Sequence, residues 1–343
     1  MNAFNALSRN HRGAPLALLV ATFLTGLGLT ACGGGSDSTT AATATETTTA
    51  GTTTGTTTGT VTSTSASSTA GVLCSYSSSV PYSSTTLTAT ATATWSCSST
   101  LRSLTANGLP DHAIGTFPNQ SNPNTITAQN VSVSATLTPT ETTVATPRTG
   151  PMALPGYALN GIPIDPATAG TCNDTGNNCA MGPPSTGVWD IEALGQSYFR
   201  FGTDSNNAHV QPQGTYHYHG IPEDFVTKLS NGNKAMTLIG RAADGFPIYA
   251  RYGYTVATDA SSAIKVVMSS YRTKTAPGAN RPATTTTYAM GTFTQDYEYV
   301  AGLGDLDECN GRTGVTPEFP KGTYHYYATD TFPHLQRCVK GKL

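Results

Sequence analysis

The chain has 343 residues, 18 of them Lys or Arg against 20 Asp or Glu, and only 11% are charged. Without a basic stripe or a Lys/Arg cluster, it offers nucleic acid no electrostatic footprint, so nucleic acid is not an expected partner. Any membrane link must come from something other than a polybasic patch.

In chain order, a short polar, basic start with His11 and Arg12 gives way to an apolar run from Ala14 to Leu29. The run suits a signal-peptide core, and no second apolar span follows it. It ends in Leu29-Thr30-Ala31-Cys32, which resembles the bacterial lipoprotein lipobox. That resemblance implies a signal peptide over residues 1–31, cleavage before Cys32 and a lipid on that cysteine. A plain signal peptide or a short membrane helix is the alternative. Gly33, rather than Asp, leans towards the outer membrane in the lipoprotein sorting pattern. The expectation is a bacterial envelope protein, held to the membrane through Cys32.

Residues 32–70 are mostly Thr, Ser, Gly and Ala. Such a segment buries too little apolar surface to offset its ordering entropy, and it reads as a disordered tether. A Thr-rich stalk is also open to O-glycosylation. Of the seven cysteines, the six after Cys32 fall in an oxidising compartment on this reading, where disulfides form. Sequence neighbours suggest Cys74–Cys97, Cys172–Cys179 and Cys309–Cys338, with other connectivities open. A loop like the last stabilises by roughly 3 kcal/mol in the chain-entropy model.

The folded part is expected over residues 71–343. Runs rich in Thr, Val, Tyr and Ile alternate with Gly, Pro and Asn. Thr86–Trp95, Thr125–Leu137, Lys234–Gly240, Ile264–Tyr271 and Gly322–Ala328 read as strands. A short helix is predicted near Pro222–Leu229, and Asn160-Gly161 reads as a type I′ turn. The fold class is mainly β, a sandwich or irregular barrel-like domain of short strands. Residues 71–105 are expected to dock onto it as N-terminal strands, because an isolated hairpin is marginal in water.

Gly214-Thr215-Tyr216-His217-Tyr218-His219 carries the most chemistry, and most of it recurs as Gly322-Thr323-Tyr324-His325-Tyr326-Tyr327. In a strand, His217 and His219 point one way and the tyrosines the other. Two imidazoles about 7 Å apart along one face can share a metal ion. His209 can return beside them across a strand–turn–strand, and three imidazoles leave a fourth position open, as in catalytic zinc sites. Imidazole suits copper as well as zinc. His325 and His112 are second-rank ligands for the same site, and His334 reads as a surface residue. The metal-free alternative is a polar core layer of hydrogen-bonded Tyr and His.

Asp244, Asp307 and Glu308 are the acid/base or ligand-orienting candidates. The loop carrying Asp305, Asp307 and Glu308 can otherwise hold Ca²⁺, or simply form a turn bridged to Arg312. No Gly-x-Ser-x-Gly elbow, P-loop or Gly-x-Gly-x-x-Gly occurs. Three functions remain: a copper or zinc binder, a metal-dependent hydrolase or oxidase, and a metal-free surface module for a glycan or protein partner. In the last, Tyr216, Tyr218, Tyr249, Tyr324 and Tyr326 form an aromatic platform.

Several segments together resemble the YHYH-domain family of secreted or surface proteins. They are Asn107–His112, Gly156–Gly161, Ala208–Gly220, Leu238–Tyr249, Gly304–Arg312 and Pro317–Pro320 leading into the second repeat. The resemblance covers about residues 105–340 and names no reaction. Leu335-Gln336-Arg337 departs from it, standing where Ile-Pro-Arg is expected.

Overall fold

The computed structural model describes residues 74–148, 153–173, 179–180, 187–282 and 288–343. The expected signal peptide, Cys32 and the tether lie outside the described residues.

Alternation builds the first layer. In Thr88–Cys97 every second residue turns inward, which buries Ala91, Ala93 and Trp95. This strand forms a four-stranded antiparallel sheet, ordered along the chain, with Ser77–Ser83, Leu101–Ala106 and Val131–Thr136. The apolar face packs in one core with Leu109, Leu159, Tyr216 and Tyr218. Trp95 Nε1 donates to the Leu159 carbonyl at 2.9 Å, so the largest inward side chain leaves no buried donor unpaired.

The second layer has eight strands. Their order is Ala208–Val210, Tyr216–Tyr218, Pro163–Ile164, Gly156–Ala158, Thr237–Ala242, Pro247–Ala250, Thr323–Ala328 and Gly311–Gly314. Thr237–Ala242 and Pro247–Ala250 are buried at every residue, the pattern of strands covered on both faces. Their Leu238 and Tyr249 join the core shared with the four-stranded sheet. Ile239, Ile248 and Ala250 join a second core with Tyr326, Leu335 and Val339. The protein is therefore mainly β, a sandwich whose larger sheet carries a second core.

The predicted helix is present over Glu223–Ser230. Glu223 and Asp224 in its first turn and Lys228 in its last complement the helix dipole, and Asn231 closes it in the left-handed region. The three disulfides are Cys74–Cys97, Cys172–Cys179 and Cys309–Cys338.

Two predicted strands change. Thr125–Leu137 is a strand only over Val131–Thr136, because Thr127 and Gln129 send their N–H groups to Gly214 and Asn107 instead. Ile264–Tyr271 splits into Ile264–Val266 and Tyr271–Thr273, which pair with different partners. Between them Asp305 takes the Met268 N–H at 2.8 Å and interrupts the ladder. The Asn160-Gly161 turn also differs from type I′. Ala158 accepts the Gly161 N–H at 2.9 Å and only the glycine has positive φ, at 83°. This is a three-residue hairpin loop, a turn followed by a left-handed glycine.

Candidate metal centre

The strands Ala208–Val210 and Tyr216–Tyr218 are antiparallel neighbours with His209 directly opposite His217. The connection turns at Gly214, whose φ is +85°. A Cβ there would meet Thr127 Oγ1 at 2.1 Å, so glycine is required on two counts. His219 follows the strand, its N–H bound to the Asn207 carbonyl at 2.8 Å. The period of two carries its ring to the side of His217, and the tyrosines to the other.

Three Nε2 atoms meet there. His219 Nε2 lies 2.9 Å from His217 Nε2 and 3.1 Å from His209 Nε2. The three ligand atoms lie within 4.8 Å of one another, so the three histidines can hold a metal ion. The proton positions follow from the outer nitrogens. His209 Nδ1 faces the Phe201 carbonyl at 2.8 Å and His217 Nδ1 the Thr215 carbonyl at 3.3 Å. A carbonyl only accepts, so both Nδ1 atoms carry the proton and both Nε2 atoms present lone pairs inward. His219 Nδ1 is buried with no partner.

Burial sets the charge state. His217 and His219 are each 2% exposed, and His209 is half-buried. Desolvation, reinforced by His209, pushes His217 down to about 3. Desolvation also drives His219 far below the usual imidazole range, with His217, His209, Arg337 and His334 adding to it. His209 is lowered by burial as well. All three rings are neutral at neutral pH, the form that ligates metal. Four-coordinate zinc with Zn–N bonds of about 2.0 Å places its nitrogens about 3.3 Å apart, close to the two His219 separations of 2.9 and 3.1 Å.

Sequence reasoning missed the surroundings. Arg337 is held by Glu192 Oε2 at 2.7 Å and the Pro166 carbonyl at 3.1 Å. Asp165, whose N–H binds the Tyr218 carbonyl, accepts Gln211 Nε2 at 3.2 Å, and burial pushes its carboxyl up to about 6. His334 is half-buried rather than fully exposed. It lines a cavity of about 350 Å³ with Leu194, Asn207, Glu223 and Asp330, and is lowered to about 4, chiefly by burial. No local pattern announces these groups, because they come from three distant segments.

The other candidates lie elsewhere. His325 sits five strand spacings, roughly 24 Å, from the His217 strand, with its Nε2 on the Tyr327 hydroxyl at 3.1 Å. His112 Nε2 meets the Tyr218 hydroxyl at 2.6 Å, and Tyr218 faces away from the triad. Asp244 accepts the Tyr326 hydroxyl at 2.5 Å and the Gly341 N–H at 2.8 Å. Asp307 accepts the Tyr324 hydroxyl at 2.9 Å and the Cys309 N–H at 2.9 Å. Glu308 pairs with Lys340 at 3.1 Å, and Asp305 with Lys265 at 2.6 Å. Arg312 does not bridge that loop. It donates to the Tyr254 carbonyl at 2.9 Å.

The tyrosines do not form an exposed aromatic platform. Tyr216, Tyr218, Tyr249, Tyr324 and Tyr326 are all buried, and each hydroxyl bonds an Asp, Glu, Thr, Asn or His side chain.

A family model described as "YHYH protein" matches residues 132–341, more than half of the chain. The chain belongs to the YHYH family. No curated protein and no solved structure matches it. The motif that names the family thus has two faces here, hydroxyls turned into a core and imidazoles gathered opposite. The Gln336 departure is buried too, with neither amide atom paired.

Proposed function

We propose that this YHYH protein binds copper or zinc through His209, His217 and His219. One observation carries the reading. Two Nε2 lone pairs, fixed by carbonyl bonds on the opposite ring nitrogens, point at a third Nε2 about 3 Å from each. One cation can bond all three nitrogens at once, whereas a proton on His219 Nε2 is a single N–H shared between two acceptors. Two ligands are buried and only His209 is half-open, which favours holding or passing on the metal over turnover of a bulky substrate. The Leu29–Cys32 motif supports anchorage by lipid in the outer membrane, with the tether presenting the metal centre to the surrounding space.

Element analysis of the purified chain after dialysis tests the reading. The expected result is one copper or zinc per chain, lost in His217→Ala and in His219→Ala while the far-ultraviolet spectrum is kept. A wild-type chain that retains neither metal from micromolar solutions overturns it.

A further inference from the structure

A second cavity, of about 270 Å³, lies where the four-stranded sheet covers the larger one, with Trp95, Val133, Leu154, Tyr157, Arg148 and Arg241 among its walls. Among the described residues, no Asp or Glu lines it. Arg241 stands opposite Tyr157 in the strand register, so both side chains emerge on the same face. It is 2% exposed, and Nε, Nη1 and Nη2 all lack a hydrogen-bond partner. The Phe319 ring lies 5.7 Å from its guanidinium carbon. Glu318 is near enough for its charge to act on Arg241, but its carboxylate is engaged by the Tyr249 hydroxyl at 2.6 Å.

A second arginine lies near enough for the charge of Arg241 to act on it. Arg102 alternates inward with Leu104 and Ala106 and stands opposite Ala135, another wall of the cavity. Burial and then repulsion from Arg241 push Arg102 down to about 9. Arg148 adds a third guanidinium, tied to the Leu154 carbonyl through Nε at 3.1 Å and Nη2 at 2.8 Å. The Arg241 guanidinium, buried with no hydrogen-bond acceptor, is strongly unfavourable as it stands.

We propose that this cavity binds a small monocarboxylate, its two oxygens on the Arg241 guanidinium and its apolar body against Trp95, Val133 and Leu154. The planar guanidinium fork matches two carboxylate oxygens side by side. Sulfate or phosphate needs donors on every side, and these walls are mainly apolar. The site is independent of the histidine cluster and of the metal.

Thermal unfolding of the whole chain in benzoate, butyrate or sulfate at matched ionic strength tests the proposal. At about a hundredfold excess over Kd, benzoate or butyrate should raise Tm by roughly 5 °C, and sulfate should not. Arg241→Leu should abolish that rise. Should this variant fail to fold, Trp95 supplies a second readout, since the chain has only two tryptophans. In a Trp189→Phe background, 4-bromobenzoate should quench Trp95 saturably. Equal shifts in sulfate and benzoate, or no carboxylate shift together with unsaturable quenching, overturn the proposal. Carboxylate inertness with strong destabilisation by Glu318→Gln overturns it too, and identifies Glu318 as the counter-ion of Arg241.

Discussion

The two copies of the Gly-Thr-Tyr-His-Tyr sequence fold alike and end differently. Each forms a strand one place in from an edge of the larger sheet, antiparallel to the edge strand and parallel to its inner neighbour. In each, the histidine Nδ1 faces the carbonyl of the threonine two residues before it, at 3.3 Å in the first copy and 3.0 Å in the second. In each, its Nε2 meets the side chain two residues on, His219 Nε2 at 2.9 Å or Tyr327 Oη at 3.1 Å. The residue opposite on the edge strand is His209 in the first copy and Arg312 in the second. The backbone thus supplies the same imidazole posture twice. The sixth residue and the edge-strand residue decide whether it joins a cluster that can hold a metal ion or a closed hydrogen bond.

The largest expected effect breaks the first copy. Loss of any of His209, His217 or His219 leaves two ligands and should weaken copper or zinc by at least about 100-fold, read by competition with a chromogenic chelator. Converting the second copy sharpens the contrast. Tyr327→His recreates the sixth residue but keeps Arg312 opposite, whose positive charge opposes a cation. It should add no second equivalent of metal. A gain of metal in this variant would show that the edge residue does not matter.

The tyrosine faces can be broken without touching the metal. Asp244 is buried and accepts the Tyr326 hydroxyl and the N–H groups of Gly341 and Phe246. Asp244→Ala strands all three donors and should cost about 3 kcal/mol in urea denaturation, with metal stoichiometry unchanged. Metal loss at full stability would instead restore Asp244 to the metal chemistry that its sequence suggested.

The sequence exposed the strand-borne parts and hid the rest for a physical reason. The spacing of His217 and His219, the facing of Tyr216 and Tyr218, the helix at Glu223 and the cysteine neighbours all follow from local periodicity or short separations. His209 was within reach because one short hairpin returns it. His325 and His112 matched the chemistry but not the place, since sheet order and facing are set by long-range pairing that no local pattern carries. Asp244 and Asp307 looked reactive because they are acidic and loop-borne. Their carboxylates instead anchor Tyr326 and Tyr324, a role visible only once the strands are assembled.

Acid offers a test centred on the second copy. Burial, the largest cause, holds His325 down to about 4, below the ordinary imidazole value near 6.5 in an unfolded chain. The folded state therefore favours the neutral ring. Its contribution is complete above about pH 6.5 and drains away as pH falls towards 4, at up to about 1.4 kcal/mol per unit. Over that window His325 alone accounts for about 3 kcal/mol. His325→Gln should flatten this part of the stability curve, measured without metal by denaturant titration at successive pH values. An unchanged slope would mean that the second-copy histidine opens to water before it protonates.

The smallest effect concerns Gln336, which lies between His334 and Arg337, two residues whose charges act on His219 of the first copy. It is fully buried, and neither its oxygen nor its nitrogen is paired. An unsatisfied amide of this kind costs about 1–3 kcal/mol, and an apolar side chain of similar shape removes the penalty. Gln336→Leu should therefore raise stability by about 1 kcal/mol and shift Tm upward by a few degrees, with metal affinity unchanged. A variant that gains stability but loses metal would make the buried amide a working part of the first copy. It would then join His219 Nδ1, also buried and unpaired, as a second polar group left open beside the cluster.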